Sequence, residues 1–297
     1  YNSRELKLQF DAGGLMAFKK VGVVGAGQMG NGIAQVVAMH NISVVMSDVS
    51  PGALEKGLNT ITQSCDRLIK KELMKEADKK AVLSRIHTVT DFKELKDCDC
   101  VIEAATENID LKLKIFKDLD AMVNNDAVLC TNTSSISITK IAAVTKRPEN
   151  VAGMHFMNPV PLMKLVEGIK GIQTSDETFT KVRTFAEMLG KTFVEAKDYP
   201  GFAVNRILMP MLNEAMFALF ENLATAEDID NAMKLGTNQP MGPLALADYV
   251  GLDTCLAIMN VLHDGFGDSK YRPCPLLIKY VEAGWLGRKS GRGFYKY

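Results

Sequence analysis

The run Gly25-Ala26-Gly27-Gln28-Met29-Gly30 constrains this chain more than any other feature. It follows a short apolar stretch, Lys20-Val-Gly-Val-Val, and opens the segment from Gln28 to His40. There Met29, Ile33, Val36 and Val37 are spaced for the buried face of a helix. A second β-branched run, Ile42 to Met46, ends in Ser47-Asp48. Strand, glycine turn, helix, strand is a βαβ unit, which requires a parallel strand pair. In that setting Gly25 permits the tight turn, Gly27 lets the backbone approach a pyrophosphate, and Gly30 allows close helix–strand packing. The helix N-terminus adds N–H groups and partial positive charge for the phosphates. Asp48 stands 23 residues after Gly25, where a carboxylate accepts hydrogen bonds from adenine ribose hydroxyls and repels a 2′-phosphate. Val49-Ser50-Pro51 supplies no arginine for that phosphate, so the pattern predicts NAD rather than NADP. The other reading of the unit is a structural βαβ element without a cofactor.

The rest of the chain extends the pattern. Residues 51–85 read as a charged helical hairpin projecting from the domain, with Leu58, Ile61, Leu68, Ile69, Leu73 and Leu83 on its apolar side. Strands are expected at Cys100–Ala105, Ala127–Thr131 and Val151–His155, with helices at Leu111–Val123 and Ile136–Val144 between them. This alternation predicts an α/β class: a Rossmann-type, doubly wound, mostly parallel sheet. Near Asp198-Tyr-Pro-Gly201 the character changes, and no strand is expected from there to Gly284. Helices are expected around Val204–Glu221, Ala226–Leu235, Leu244–Val250, Thr254–Phe266 and Leu276–Ala283. Thr225 with Asp228 marks a helix start, Gly236 a stop, and Pro210 should kink the first of these helices. A chain of 297 residues therefore reads as a tail at 1–15, a dinucleotide-binding domain at 16–198 and an all-helical C-terminal domain at 199–297. A natural start at Met16 fits, the residues before it being an appended tail or a truncated leader.

Bulk properties exclude other classes. Thirty-five basic and 35 acidic residues leave a formal net charge of zero, so no global basic field draws the chain to nucleic acid or an anionic membrane. No apolar run approaches the ~20 residues of a membrane span. Six cysteines without a CxxC pair suit a reducing compartment, the cytoplasm, or the mitochondrial matrix if the source is eukaryotic. No metal-ligand spacing, P-loop or nucleophile elbow occurs.

Four residues are candidates for chemistry. His155 ends an expected strand at the ligand-binding edge of the sheet, where an imidazole can serve as a general base near neutral pH. Glu167 follows twelve residues later, beyond two prolines, and a turn between extended segments would bring it back to the ring. For an isolated histidine the competing reading is a satisfied core or surface residue. Ser134, in Asn132-Thr-Ser-Ser135, either bonds a substrate oxygen or caps the helix expected from Ile136, a task Ser135 fits equally well. Asn205, in Pro200-Gly-Phe-Ala-Val-Asn-Arg206, either lines a cleft or bonds a neighbouring carbonyl.

Several motifs go further: GAGQMGNGIAQ, VIEAATEN, TNTSSISIT, GMHFMNPVPLMKLVE, PGFAVNR, AMKLG, PMGPLALADYVGLD and GWLGRKSGRGFYKY. In this order and spacing, from about Phe18 to Tyr297, the chain resembles the L-3-hydroxyacyl-CoA dehydrogenase family. The resemblance is strongest to its short-chain members, the 3-hydroxybutyryl-CoA dehydrogenases. It implies that His155 is the base, Glu167 its partner, and Ser134 and Asn205 the residues that position the substrate. It also implies that Gln28, Met29, Ala104, Glu107, Lys112, Asn132, Asn158 and Lys289 join the three glycines and Asp48 around NAD. An acyl-CoA substrate and a homodimer formed through the C-terminal helical domain follow from the same resemblance, as does contact of Lys70 or Lys71 with CoA phosphates. Departures are small: Thr131 stands where serine is common, and Asn238-Gln239 replaces a more usual pair. Two rival functions remain at this level, a same-fold dehydrogenase of a non-CoA hydroxy acid and a crystallin-like scaffold without turnover.

Overall fold

The computed structural model describes residues 18–297, so the reading of residues 1–15 as a tail lies outside the described residues. The chain divides after Asp198 into two compact units.

The first unit runs β1 (Lys20–Val24), α1 (Gln28–Met39), β2 (Ser43–Ser47), α2 (Pro51–Lys70), α3 (Glu76–Ser84) and β3 (Ile86–Val89). It continues with β4 (Cys100–Glu103), α4 (Ile109–Met122), β5 (Val128–Thr131), α5 (Ile138–Ala142) and β6 (Val151–Phe156). β7 (Leu165–Lys170), α6 (Asp176–Met188) and β8 (Thr192–Lys197) complete it. The strands form one sheet in the order β3-β2-β1-β4-β5-β6-β7-β8. Every neighbouring pair is parallel except β6 and β7. Both faces of the central strands are covered, so their sequences are continuous apolar runs rather than alternations. Val21, Val23, Met46, Cys100, Ile102, Leu129, Cys130 and Met154 are all 0% exposed. Each large apolar side chain buried in this way stabilises the fold by about 1.5–3 kcal/mol.

The expected doubly wound sheet is present, with corrections in detail. β3, α6 and β8 are elements the sequence reading does not name, and the segment holding Glu167 is an antiparallel strand. The helix expected from Ile136 starts at Ile138. The hairpin at 51–85 does not simply project. Leu54, Ile61, Cys65 and Val82 join the core together with Ile33, Val36 and Val37 of α1, while Leu73 at the turn is 43% exposed.

Register sets the functional edge of this sheet. Ser47 pairs with Val24, Val24 with Glu103, Glu103 with Thr131, and Thr131 with Gly153. The carboxyl ends of β2, β1, β4, β5 and β6 therefore fall in one row. β1 has β2 on one side and β4 on the other, so the connections leaving this edge diverge and open a crevice beside the glycine turn.

The second unit contains α7 (Val204–Phe220), α8 (Ala226–Gly236), α9 (Pro243–Val250), α10 (Leu252–Phe266) and α11 (Pro275–Glu282). α7 continues through Pro210. Thr225 caps α8, its hydroxyl accepting the Asp228 N–H at 3.1 Å. α9 and α10 meet at a 97° bend, made at Gly251, whose φ of +102° favours glycine. Met209, Leu212, Met216, Leu244, Leu252, Met259, Leu262 and Leu277 form the core. The C-terminal segment is held by two buried aspartates. Asp248 accepts the N–H groups of Phe294 and Tyr295 at 3.0 and 2.9 Å, and Asp230 accepts the Tyr295 hydroxyl at 2.8 Å. A Cβ at Gly293 would lie 1.9 Å from Asp248 Oδ1, which accounts for a glycine there. Among the described residues no single helix is long and apolar enough to cross a membrane.

Candidate active site

The glycine loop is built by close backbone approach. Gly25 has φ of +100°, and its N–H donates to Ser47 O at 2.7 Å. A Cβ at Gly25 would sit 2.7 Å from Ala104 O, and one at Gly30 would sit 1.8 Å from Gly25 O. Gly27 differs, because nothing lies within 4 Å of its Cβ position. It is the N-cap of α1 and brings no capping side chain. A side chain at this position would fill the cradle at the helix end, so the loop fits a dinucleotide pyrophosphate. Gln28 is exposed, whereas Met29 is partly buried and packs on the core. Asp48 ends β2 with both oxygens in use: Oδ2 accepts the Ala26 N–H at 2.9 Å and Oδ1 the Ser50 N–H at 3.0 Å. The carboxylate thus ties the glycine loop to the second strand as well as facing the crevice. A cavity of about 580 Å³ opens there, lined by Gly25, Ser47, Asp48, Phe92 and Ile115 among others. Its size and apolar walls suit an adenosine moiety.

Three positions farther along the edge, β6 and β7 place His155 directly opposite Glu167. His155 Nδ1 is 2.8 Å from Glu167 Oε2. His155 is 8% exposed and Glu167 is 0% exposed. A buried carboxylate at that distance holds the proton on Nδ1, which fixes the tautomer in which Nε2 is the basic nitrogen. The pair is therefore made by strand register, and the β6–β7 connection only has to reverse the chain. That connection contains the cis Asn158–Pro159 bond, with Asn158 exposed. The buried Lys191 ammonium holds its turn by donating to Val160 O at 2.6 Å and Met163 O at 2.8 Å. Burial pushes the Lys191 amine down to about 8. Asn132 joins the next loop to the same strand, since its Oδ1 accepts the Phe156 N–H at 2.8 Å.

Ser134 is not a helix cap. Ser137 caps α5 by accepting the Lys140 N–H at 3.2 Å. Asp198 accepts the N–H groups of Ile138 and Thr139 at 2.9 and 2.8 Å. Ser134 and Ser135 turn instead to Glu107 Oε1, which accepts the Ser135 hydroxyl at 2.9 Å, the Ser134 N–H at 3.0 Å and the Ser134 hydroxyl at 3.3 Å. The Thr133 hydroxyl donates to the same oxygen. Burial pushes the Glu107 carboxyl up, but the Lys112 charge and the bonds from Thr133, Ser135 and Ser134 outweigh it and hold the group below its ordinary range. Lys112 is 0% exposed and donates to Glu103 Oε1 at 2.6 Å. Glu103, also 0% exposed, accepts the Thr131 hydroxyl at 2.7 Å as well.

Within the first unit the structure thus brings together Gly25, Gly27, Gly30, Ala104 and Asp48, and next to them Glu107, Lys112, Asn132, Ser134, His155 and Glu167. Ala104 serves the sheet edge, its N–H donating to Val24 O at 2.7 Å. Asn205 and Lys289 belong to the second unit, where Asn205 is buried near the start of α7 and Lys289 Nζ is 2.5 Å from Asp253 Oδ1. Lys70 and Lys71 are exposed at the end of α2. Sequence reasoning misses Glu103, Thr133 and Lys191. A lone acid inside the apolar run Cys100-Val-Ile-Glu-Ala-Ala105 was the available signal for the first, since a buried charge needs a partner.

Comparison with known proteins places the chain in a family. The NAD binding domain of 3-hydroxyacyl-CoA dehydrogenase matches residues 20–199, and the C-terminal domain of the same enzyme matches residues 201–297. The chain is 56% identical over 279 residues to a 3-hydroxybutyryl-CoA dehydrogenase of Bradyrhizobium diazoefficiens, covering 94% of this chain and 95% of that protein. It is 55% identical over 282 residues to a probable 3-hydroxybutyryl-CoA dehydrogenase of Bacillus subtilis, covering 95% and 98%. The crystal structure of (S)-3-hydroxybutyryl-CoA dehydrogenase from Ralstonia eutropha superposes with a TM-score of 0.92 at 56% identity, covering 94% of this chain and 99% of that one. With both of its domains matched and the sheet edge assembled in the same chain, this protein belongs to the 3-hydroxyacyl-CoA dehydrogenase family.

Proposed function

We propose that the protein interconverts (S)-3-hydroxyacyl-CoA and 3-ketoacyl-CoA with NAD, the acyl group being the four-carbon one of 3-hydroxybutyryl-CoA and acetoacetyl-CoA. The observation that carries the reading is the His155–Glu167 pair, 2.8 Å apart on neighbouring strands at the edge that also holds the glycine loop. NAD, when bound, supplies the hydride acceptor. Gly25, Gly27, Gly30 and the α1 N-terminus would hold its pyrophosphate, Asp48 its ribose, and the cavity beside Asp48 its adenine.

His155 Nε2 takes the proton of the C3 hydroxyl in oxidation and returns it to the C3 oxygen in reduction. Glu167 offsets the imidazolium charge and keeps the ring in one tautomer. The Ser134 hydroxyl bonds the C3 oxygen, and Asn205 takes part in holding the substrate. General-base assistance of this kind gives ~10²–10⁴-fold, and orientation of the reacting carbons supplies more. The helical second unit forms a homodimer interface, a role supported by exposed Ile207, Phe220 and Leu223 on and beside α7. Six buried free thiols support a reducing compartment, the cytoplasm.

The test is product formation. (S)-3-Hydroxybutyryl-CoA and NAD should yield acetoacetyl-CoA and NADH, while free 3-hydroxybutyrate should not react. Turnover of the free acid with none of the thioester would replace the reading by a dehydrogenase of non-CoA hydroxy acids.

A further inference from the structure

We propose that Lys191 is a positioning residue for the proposed reaction: its buried ammonium clasps the β6–β7 connection and so holds His155 against Glu167 beside the glycine loop. The inference rests on the reading of His155 as the general base. The pair His155–Glu167 is next to last in the antiparallel ladder, followed only by Phe156–Val166 before the chain turns. Its geometry therefore depends on how firmly residues 157–164 are held.

The connection holds itself only in part. Pro159 O accepts the Leu162 and Met163 N–H groups at 3.0 Å each. Among the described residues no backbone N–H reaches Val160 O or Met163 O. Lys191 Nζ reaches both, donating at 2.6 and 2.8 Å. The next residue, Thr192, donates its N–H to Lys164 O at 2.6 Å. One short stretch thus grips the connection at three carbonyls, two through a side chain and one through the backbone.

The gripping stretch is itself fixed. After Gly190, with φ of +69°, the Lys191 N–H donates to Ala186 O at 3.1 Å and closes α6. The helix dipole favours a cation at that end. On the other side of the connection Val160 is 2% exposed and lies on α1, where a Cβ at Gly32 would be 3.0 Å from Val160 Cβ. The connection is held between the end of α6 and the helix that opens at the glycine loop. That spacing sets where the His155 ring stands relative to the loop.

Among the described residues Lys191 has no carboxylate partner. A buried ammonium so placed is costly, and an apolar side chain would fill the space without that cost. What the charge adds is strength and direction, since charge-assisted bonds are about twice as strong as neutral ones. Leu162 and Met163 are exposed, so carbonyls released by Lys191 can turn to water while the unit stays folded. Loss of the clasp therefore loosens the turn locally.

The experiment uses the full chain as wild type, Lys191→Met, His155→Gln and the double variant. Three quantities are read: kcat for acetoacetyl-CoA reduction, the NADH Kd by fluorescence, and hydrogen exchange of a peptide spanning residues 157–164. Lys191→Met should lower kcat about tenfold or more, since a misplacement on the order of 1 Å costs up to ~10²-fold. Exchange at Leu162 and Met163 should quicken, and the NADH Kd should stay within about threefold of wild type. In the His155→Gln background the same substitution should cost less than about twofold, because no base is left to position and losses within a unit are not additive. A kcat loss additive with that of His155→Gln, unchanged exchange, or an NADH Kd raised about tenfold or more would overturn the proposal. If Lys191→Met fails to fold, Gly32→Ala decides, because its methyl presses on Val160 from the α1 side. It should quicken the same exchange and lower kcat only while His155 is present, and an unchanged kcat would refute the proposal. Exchange needs no turnover. A wild type that does not reduce acetoacetyl-CoA would thus fail the functional reading, whereas unchanged exchange in Lys191→Met fails the inference.

Discussion

Glu167→Gln isolates what the buried carboxylate contributes to His155. The amide keeps the volume and leaves an oxygen to accept the Nδ1 proton, but removes the charge that offsets imidazolium. At 2.8 Å, with His155 8% and Glu167 0% exposed, the pair is short and screened from water. A hydrogen bond to a charged group in such a setting contributes about 1.5–3 kcal/mol. At ~1.4 kcal/mol per tenfold in rate, kcat should fall by ~10- to ~150-fold. His155→Gln removes the base itself and should cost ~10²–10⁴-fold. The double variant should be little worse than His155→Gln alone, because residues acting as a unit are not additive. Steady-state kcat for 3-hydroxybutyryl-CoA oxidation in the four proteins, with NADH Kd as a control for intact cofactor binding, closes the cycle. Additive losses in log kcat, or a Glu167→Gln enzyme as fast as wild type, would refute the dyad.

Asp48→Ser combined with Val49→Arg should shift preference from NAD toward NADP, and NAD affinity should also drop because Ala26 N–H loses its acceptor at 2.9 Å; an unchanged NADP/NAD ratio of kcat/KM would remove Asp48 from the ribose. Gly30→Ala places a Cβ 1.8 Å from Gly25 O, so NADH binding and thermal stability should both fall sharply, and a variant with wild-type Kd and Tm would contradict the loop geometry. Lys191 has an amine lowered from 10.5 to about 8 by burial, so the unfolded chain binds more protons than the folded one between those values. Its penalty to stability is complete below about pH 8 and relieved as pH rises toward 10.5, a swing of ~3 kcal/mol. The difference in unfolding free energy between wild type and Lys191→Met should move in favour of wild type over that window, and a pH-independent difference would show that the amine is not desolvated.

The sheet's first half is legible in the sequence because strands buried on both faces must be apolar throughout, and glycines mark the turn between them. β8 is not, since Thr192–Lys197 has one buried residue, Ala196, and carries Glu195 and Lys197 on an exposed edge. β3 is four residues long with His87 exposed, too short for periodicity to separate from a loop. α6 opens with Asp176-Glu177-Thr178, and its apolar residues are diluted by threonines and charges. His155 and Glu167 are legible as candidates, but their pairing depends on antiparallel register, which twelve residues of spacing do not specify. Ser134 is ambiguous in sequence because Ser135 and Ser137 can each cap a helix. The choice among them is made by Asp198 and Glu107, which are 61 and 27 residues from the bonds they accept. Apart from the family resemblance, Lys112 reads as one more charge on α4, and its burial depends on Glu103 waiting in the adjacent strand.

The most direct test is a steady-state comparison of 3-ketoacyl-CoA substrates of four, eight and sixteen carbons, each with NADH and with NADPH. The highest kcat/KM should belong to acetoacetyl-CoA with NADH, and His155→Gln should lose that activity. A preference for NADPH, or no reduction of any 3-ketoacyl-CoA by a protein that binds NADH, would contradict it.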